Sequence, residues 1–186
     1  MPYTPFENQE YRNVVQTHLE IPALLRLLPV GTGSRILEIG CGRGVALPRL
    51  RALCAPSRLV GVDIAPELIA MAERRVSSVA DLAQEIGTEL VVADVRALPF
   101  AAASFDVVID FGTCYHIDDP ELALREITRV LGRDGCFIHE STLAQRIAHP
   151  WRTSGRGLPW EAVPSLRAER DAILWAARRK TSSVAH

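Results

Sequence analysis

Residues 36–44, ILEIGCGRG, constrain this chain more than any other stretch. A short apolar run closes on glycines at positions 40, 42 and 44, and a helical reading begins at Val45. Alternating glycines let the backbone turn sharply and approach a ligand closely, while the N–H groups opening the next helix can face an anion. Taken alone, the stretch fits a tight strand-to-helix connection as well as it fits a ligand cradle.

Four further apolar runs have the same character. Strands are predicted at 35–39, 58–63, 89–93, 105–110 and 136–141, each short and nearly continuous in apolar residues, as expected for strands buried on both faces. Helices are predicted between them at 45–53, at 66–76 with Pro66 at its first position, and at 120–131. The last has Asp119 as N-cap, Gly132 just past its end, and Leu124, Ile127 and Leu131 on one face. The alternation predicts an α/β domain whose mostly parallel sheet is wound with helices on both faces. Upstream, 6–28 reads as one or two helices broken near Pro22; downstream of Leu143 the text is rich in Pro, Gly and Trp, and 167–180 reads as a basic helix.

Composition narrows the partners. The 186 residues carry 21 basic and 22 acidic side chains, a net charge of -1, so no general basic field steers the chain to nucleic acid or an anionic membrane. No apolar run approaches the roughly 18 residues of a membrane span. Cys41, Cys54, Cys114 and Cys136 have no C-x-x-C spacing, and residues 1–10 have no leader-like pattern. Neither a zinc site nor a disulfide framework is expected, and a reducing cytoplasm is the expected setting.

Two carboxylates end predicted strands. Asp63 is placed to accept hydrogen bonds from a ribose diol, and Asp94 to accept one from an exocyclic purine amine; each also fits a turn or cap role. Val45 stands where a dinucleotide fingerprint requires its last glycine, which disfavours a nicotinamide-dependent oxidoreductase.

The ordered set LEIGCGRG, VGVD, DVRALPF and SFDVV resembles the class I S-adenosylmethionine (SAM) dependent methyltransferases, in their small-molecule, type 11-like branch, over residues 34–141. The resemblance implies a Rossmann-like doubly wound sheet and transfer of the SAM methyl group to an O, N or C atom of a small molecule, releasing S-adenosylhomocysteine without a metal. It implies that Glu38, Gly40, Cys41 and Gly42 wall the methionine part. Asp63 would hold the ribose and Ile64 pack on adenine, Asp94 and Val95 would meet the adenine edge, and Asp110 and Phe111 would line the sulfonium end. The alternative within this family is a non-catalytic SAM-binding regulatory or partner subunit.

The turn after the fourth strand, Phe111–Asp119, holds Tyr115 and His116 where similar enzymes often carry paired histidines. His116 is a candidate general base, its unperturbed imidazole titrating near neutral pH; holding the loop in place is its structural alternative. Glu140, at the end of the fifth strand, is preferred over His139 for substrate contact, and a buried structural role is expected for Cys41 and Cys114. The acidic pair Asp118 and Asp119 reads as turn and cap, and the Asp/Asn-Pro-Pro-Tyr motif of similar nucleic-acid methyltransferases is absent.

One domain is expected: a helical lid in 1–33, a cofactor-binding core in 34–141, and an irregular and helical segment in 142–186. In that last segment the antiparallel hairpin usual in the family is lost or altered. The exposed fifth-strand edge would then be covered by the C-terminal segment, with Trp151, Trp160 and Trp175, or by a second copy or partner protein.

Overall fold

The computed structural model describes residues 13–23, 32–78, 87–140 and the strand at 175–179. Five parallel strands, β1 (Arg35–Ile39), β2 (Arg58–Asp63), β3 (Thr88–Val92), β4 (Phe105–Asp110) and β5 (Leu131–Glu140), lie in the order β3-β2-β1-β4-β5. A sixth, β6 (Trp175–Arg179), runs antiparallel on the outer edge of β5. The helices are α1 (Leu47–Cys54), α2 (Pro66–Ser78) and α3 (Pro120–Val130), with one-turn 3₁₀ segments at Val95–Ala97 and Cys114–His116.

Strand alternation divides the core into two layers. Ile36, Val107, Ile109, Cys136 and Ile138 pack with Leu47 and Leu50 of α1, Ile69 of α2 and Ile21 of the N-terminal helical segment. Leu37, Ile39, Val60, Val62, Val108 and Phe137 pack on the other face with Ala123, Ile127 and Val130 of α3. Helices on both faces explain why the inner strands read as unbroken apolar runs.

The LPF and SFD segments are anchors of this architecture. The Leu98 N–H donates to Glu126 Oε2 at 2.8 Å, and Arg129 donates to the Leu98 and Phe100 carbonyls at 2.9 and 2.6 Å. Phe100 meets Phe105 edge-on at 5.1 Å, with the Arg58 guanidinium over both rings. Asp106 receives Arg35 Nε and Nη2 at 3.1 and 2.7 Å, tying the entry of β1 to that of β4.

Three expectations are corrected. The strand expected at 136 begins at Leu131, because α3 passes directly into it through an extended Leu131 instead of a glycine cap; the register then shifts between Phe105 and Val107. Asp119 occupies the N-cap position without a side-chain cap bond, and its carboxylate lies instead 3.9 Å from Arg96 Nη1. Residues 13–23 are helical, with a π turn at Gln16–Glu20 in which Ile21 N–H reaches Gln16 O ahead of Pro22; the residues after 23 that the expected break concerns lie outside the described residues. Trp175–Arg179 is a strand, since pairing with the open edge of β5 outweighs the helical preference of its alanines. Among the described residues, the fifth-strand edge is taken by the antiparallel β6 of the chain itself. The lid residues before 13, Trp151, Trp160 and the remainder of the C-terminal segment lie outside the described residues.

Ile127 is fully buried beneath the sheet whereas Leu122, on the same helix, is 45% exposed. Ile127→Ala is expected to cost about 2–4 kcal/mol in urea unfolding and Leu122→Ala under about 1 kcal/mol.

Candidate functional site

The strand order reverses at β1, so β1 and β4 send their following segments to opposite sides and leave a crevice beyond their C-terminal ends. Gly40, Gly42 and Gly44 line the first wall in left-handed conformations, with φ of 60°, 53° and 69°. Gly40 requires its hydrogen for a second reason: a Cβ there would collide with the side chain of Thr113, whose hydroxyl lies 3.3 Å from the Gly40 carbonyl and 3.4 Å from that of Ile39. At Gly42 a Cβ would meet nothing within 4 Å, so the turn is open there.

Asp63 holds this turn to the end of β2. Its Oδ2 accepts the Gly42 N–H at 2.9 Å and its Oδ1 the Ala65 N–H at 3.0 Å, while Cys41 N–H reaches Val62 O at 2.8 Å. Burial pushes the Asp63 carboxyl above its ordinary range, opposed by these backbone donors. A carboxylate offers about four acceptor positions, so beside the Gly42, Ala65 and Ile64 N–H groups some capacity remains for a ligand's hydroxyl donors. Ile64 beside it is 64% exposed, an apolar side chain held in solvent at the strand end. Glu38 is buried at 1% exposure. These residues fit a nucleoside with an amino-acid tail: an open glycine turn, a carboxylate with spare acceptor positions and an exposed apolar platform.

Asp94 caps the 3₁₀ turn by accepting the Arg96 N–H, and the Arg96 guanidinium closes on both its oxygens. That hydrogen-bonded pairing holds the Asp94 carboxyl below the usual carboxylate range. Val95 is buried in the core layer shared with α3.

Across the crevice, Asp110 is fully buried at the end of β4. Oδ1 gathers the N–H groups of Gly112, Thr113 and Cys114 at 3.0, 2.7 and 3.4 Å, and Oδ2 is buried with no hydrogen-bond partner. Burial pushes this carboxyl up to about 6 against the pull of the Cys114 thiol and those donors. Phe111 is buried, and His116 is exposed at the end of the 3₁₀ turn, its N–H on the Thr113 carbonyl at 2.9 Å. Tyr115 lies in the same turn and Glu140 ends β5; their side chains are outside the described part. His139 is buried and stacks on Phe137 at 5.3 Å.

Burial, then the Glu38 and Asp63 charges, push the Cys41 thiol far up; burial and Asp110 do the same to Cys114. Neither thiol is a nucleophile near neutral pH. Sequence reasoning missed Thr113 and Arg96. The signal was local in both cases: each follows a strand-ending aspartate by two or three residues, the spacing of side-chain-to-backbone turns. Among the described residues no His/Cys/Asp/Glu group is placed to hold a metal, and no helix is long and apolar enough to cross a membrane.

The family model described as a methyltransferase domain matches residues 37–139. The chain is 31% identical to a malonyl-[acyl-carrier protein] O-methyltransferase of Hahella chejuensis, over 67% of this chain and 42% of that protein. It is 34% identical to the 27-O-demethylrifamycin SV methyltransferase of Amycolatopsis mediterranei, over 60% and 40%. It also matches an uncharacterized 37.1 kDa protein in a Streptomyces fradiae transposon, 32% identical over 62% of this chain and 32% of that protein. The matched stretches thus span well under half of these relatives.

Among solved structures, a chain of the complex between the Haloferax volcanii Trm112 methyltransferase activator and a methyltransferase superposes with TM-score 0.59 and 28% identity, over 70% of this chain and 55% of that one. A SAM-dependent methyltransferase from Aquifex aeolicus gives 0.63 over 74% and 73% at 16% identity, a likeness of fold.

Two outcomes follow from this geometry. Gly40→Ala should destabilise the fold by several kcal/mol or prevent folding, whereas Gly42→Ala should cost only the backbone strain of about 1–3 kcal/mol; chemical denaturation compares them. For Asp110, a folded pKa near 6 against 3.8 means that protonation favours the folded chain, a contribution complete below about pH 4 and lost as pH rises through about 6. Between pH 7 and pH 5 the wild type should therefore gain stability over Asp110→Asn, about 1 kcal/mol, in paired thermal unfolding series.

Proposed function

This chain belongs to the methyltransferase-domain family of class I SAM-dependent methyltransferases, and from that premise we propose that it moves the SAM methyl group to a small-molecule acceptor and releases S-adenosylhomocysteine. The observation that carries the reading is the Asp63 clasp: one carboxylate bonded to the glycine turn, with acceptor capacity to spare and the exposed Ile64 beside it. The acceptors in the relatives' names, a malonyl group on a carrier protein and a demethylated rifamycin, support a small-molecule substrate.

When bound, SAM supplies a methyl group on a sulfonium, already a good leaving group. What the protein then contributes is chiefly alignment, bringing an acceptor atom in line with the methyl carbon and sulfur. In this reading the glycine turn and Glu38 would hold the amino-acid end, Asp63 would accept the ribose hydroxyls, Ile64 would pack on the purine face, and Asp94 with the Val95 backbone would meet the purine edge. Asp110 fixes the acceptor side by gathering the N–H groups at positions 112–114. His116, exposed at the mouth of the turn, takes the proton from an acceptor that carries one. Tyr115 and Glu140 complete the acceptor side.

A second reading, a SAM-binding partner or regulatory subunit, draws on the similarity to a chain from a complex with a methyltransferase activator. Turnover separates the two. A screen of phenols, amines and carboxylic acids with labelled SAM should give methylated product from at least one class; tight SAM binding with no turnover, alone or with co-purifying protein, supports the second reading.

Calorimetry with S-adenosylhomocysteine should give saturable binding that Asp63→Ala weakens at least about 100-fold, the loss of two charge-assisted hydrogen bonds. With a proton-bearing acceptor, His116→Ala should lower kcat about 100-fold or more while leaving S-adenosylhomocysteine affinity unchanged.

A further inference from the structure

The segment after β3 is fixed along its backbone. Ala93 N–H donates to Asp63 O and Ala97 N–H to Asp94 O, both at 2.9 Å, Val95 is buried, and Glu126 and Arg129 clamp Leu98. What remains adjustable at Asp94 is the direction of its carboxylate, and Arg96 removes that freedom. Its backbone N–H meets Oδ1 at 2.8 Å, its Nε lies 3.0 Å from both oxygens, and its Nη2 is 2.6 Å from Oδ2. Nη1 points the other way, 3.9 Å from Asp119 Oδ2.

This pair does little for stability. Its side chains are 35% and 32% exposed, and ion pairs in contact with water contribute little to folding. Its effect is geometric. Three donors from one residue take most of the roughly four acceptor positions of a carboxylate. What is left is an acceptor of fixed direction at the strand end, with the guanidinium donors turned to Asp94 and Asp119. A neighbouring group that donates a proton is welcomed there; one that presents lone pairs is repelled.

We propose that Arg96 is a positioning residue that sets the choice of purine: it fixes the Asp94 carboxylate as an acceptor for an exocyclic amine, and so selects a 6-aminopurine over a 6-oxopurine in the bound nucleoside. The proposal rests on the cofactor reading above and adds a residue that acts on the ligand through Asp94.

Calorimetry with S-adenosylhomocysteine and its deaminated analogue, S-inosylhomocysteine, tests it on the wild type, Arg96→Ala, Arg96→Lys and Asp94→Asn. The wild type should prefer the adenine compound by at least about tenfold, the value of one charge-assisted hydrogen bond. Arg96→Ala should lose most of that preference by weakening the adenine compound alone, and Arg96→Lys, which keeps the charge but not the planar fork, should fall between. Asp94→Asn, which offers both a donor and an acceptor, should abolish the preference with Arg96 intact. An unchanged ratio of affinities in Arg96→Ala overturns the proposal, whether both compounds weaken equally or neither does. Absence of binding of both compounds to the wild type overturns the cofactor reading itself, and the proposal with it.

Discussion

The bond from the Gly42 N–H to Asp63 Oδ2, 2.9 Å long, joins the two halves of the site. Without it the turn, left-handed at Gly40, Gly42 and Gly44, would lose its only side-chain tie to the end of β2 among the described residues, and glycine loses more freedom on ordering than any other residue. With it, the end of β2 fixes the shape of the loop after β1, and the same carboxylate stays partly exposed at the crevice. Removing a carboxylate from water is costly, and its backbone donors offset that cost. The arrangement therefore requires the strand register that sets Ile39 beside Val62, which parallel pairing between buried strands supplies.

The opposite wall repeats the device with a stronger burial. Asp110 pairs with Ile39 in the sheet, so its carboxylate sits one strand from the glycine turn, and the turn it gathers brings Thr113 over Gly40. Each wall is thus shaped by a strand-ending aspartate that organises backbone N–H groups. The two meet where Thr113 touches the carbonyls of Ile39 and Gly40. A side chain seated on a glycine makes the crevice a shared surface of two loops, so a change in either wall alters the other.

The parallel core was legible because its signals are local and redundant: apolar runs, glycines at alternate positions, and prolines at helix starts. Asp63 and Asp110 were legible for the same reason, as strand ends are where a parallel sheet presents its ligands. What escaped was set by long-range pairing. Residues 175–179 contain alanines and arginines that favour a helix in isolation, yet they lie as a strand because β5 offers an open edge. Asp119 had the identity and position of a cap but turned toward Arg96, a choice made by the neighbouring loop. The spacing from Asp110 could have placed Thr113 in its turn, but its seat on Gly40 depends on a missing side chain far away in sequence.

Hydrogen–deuterium exchange of the full chain with and without S-adenosylhomocysteine tests the central claim, that the loops at the C-terminal ends of β1–β4 form one nucleoside site. Saturable slowing of exchange is expected at residues 40–46, 63–65, 94–97 and 111–116, with the opposite sheet edge around Arg35, Arg58 and Asp106 unchanged. No protection at saturating ligand, or protection confined to that opposite edge, would contradict it.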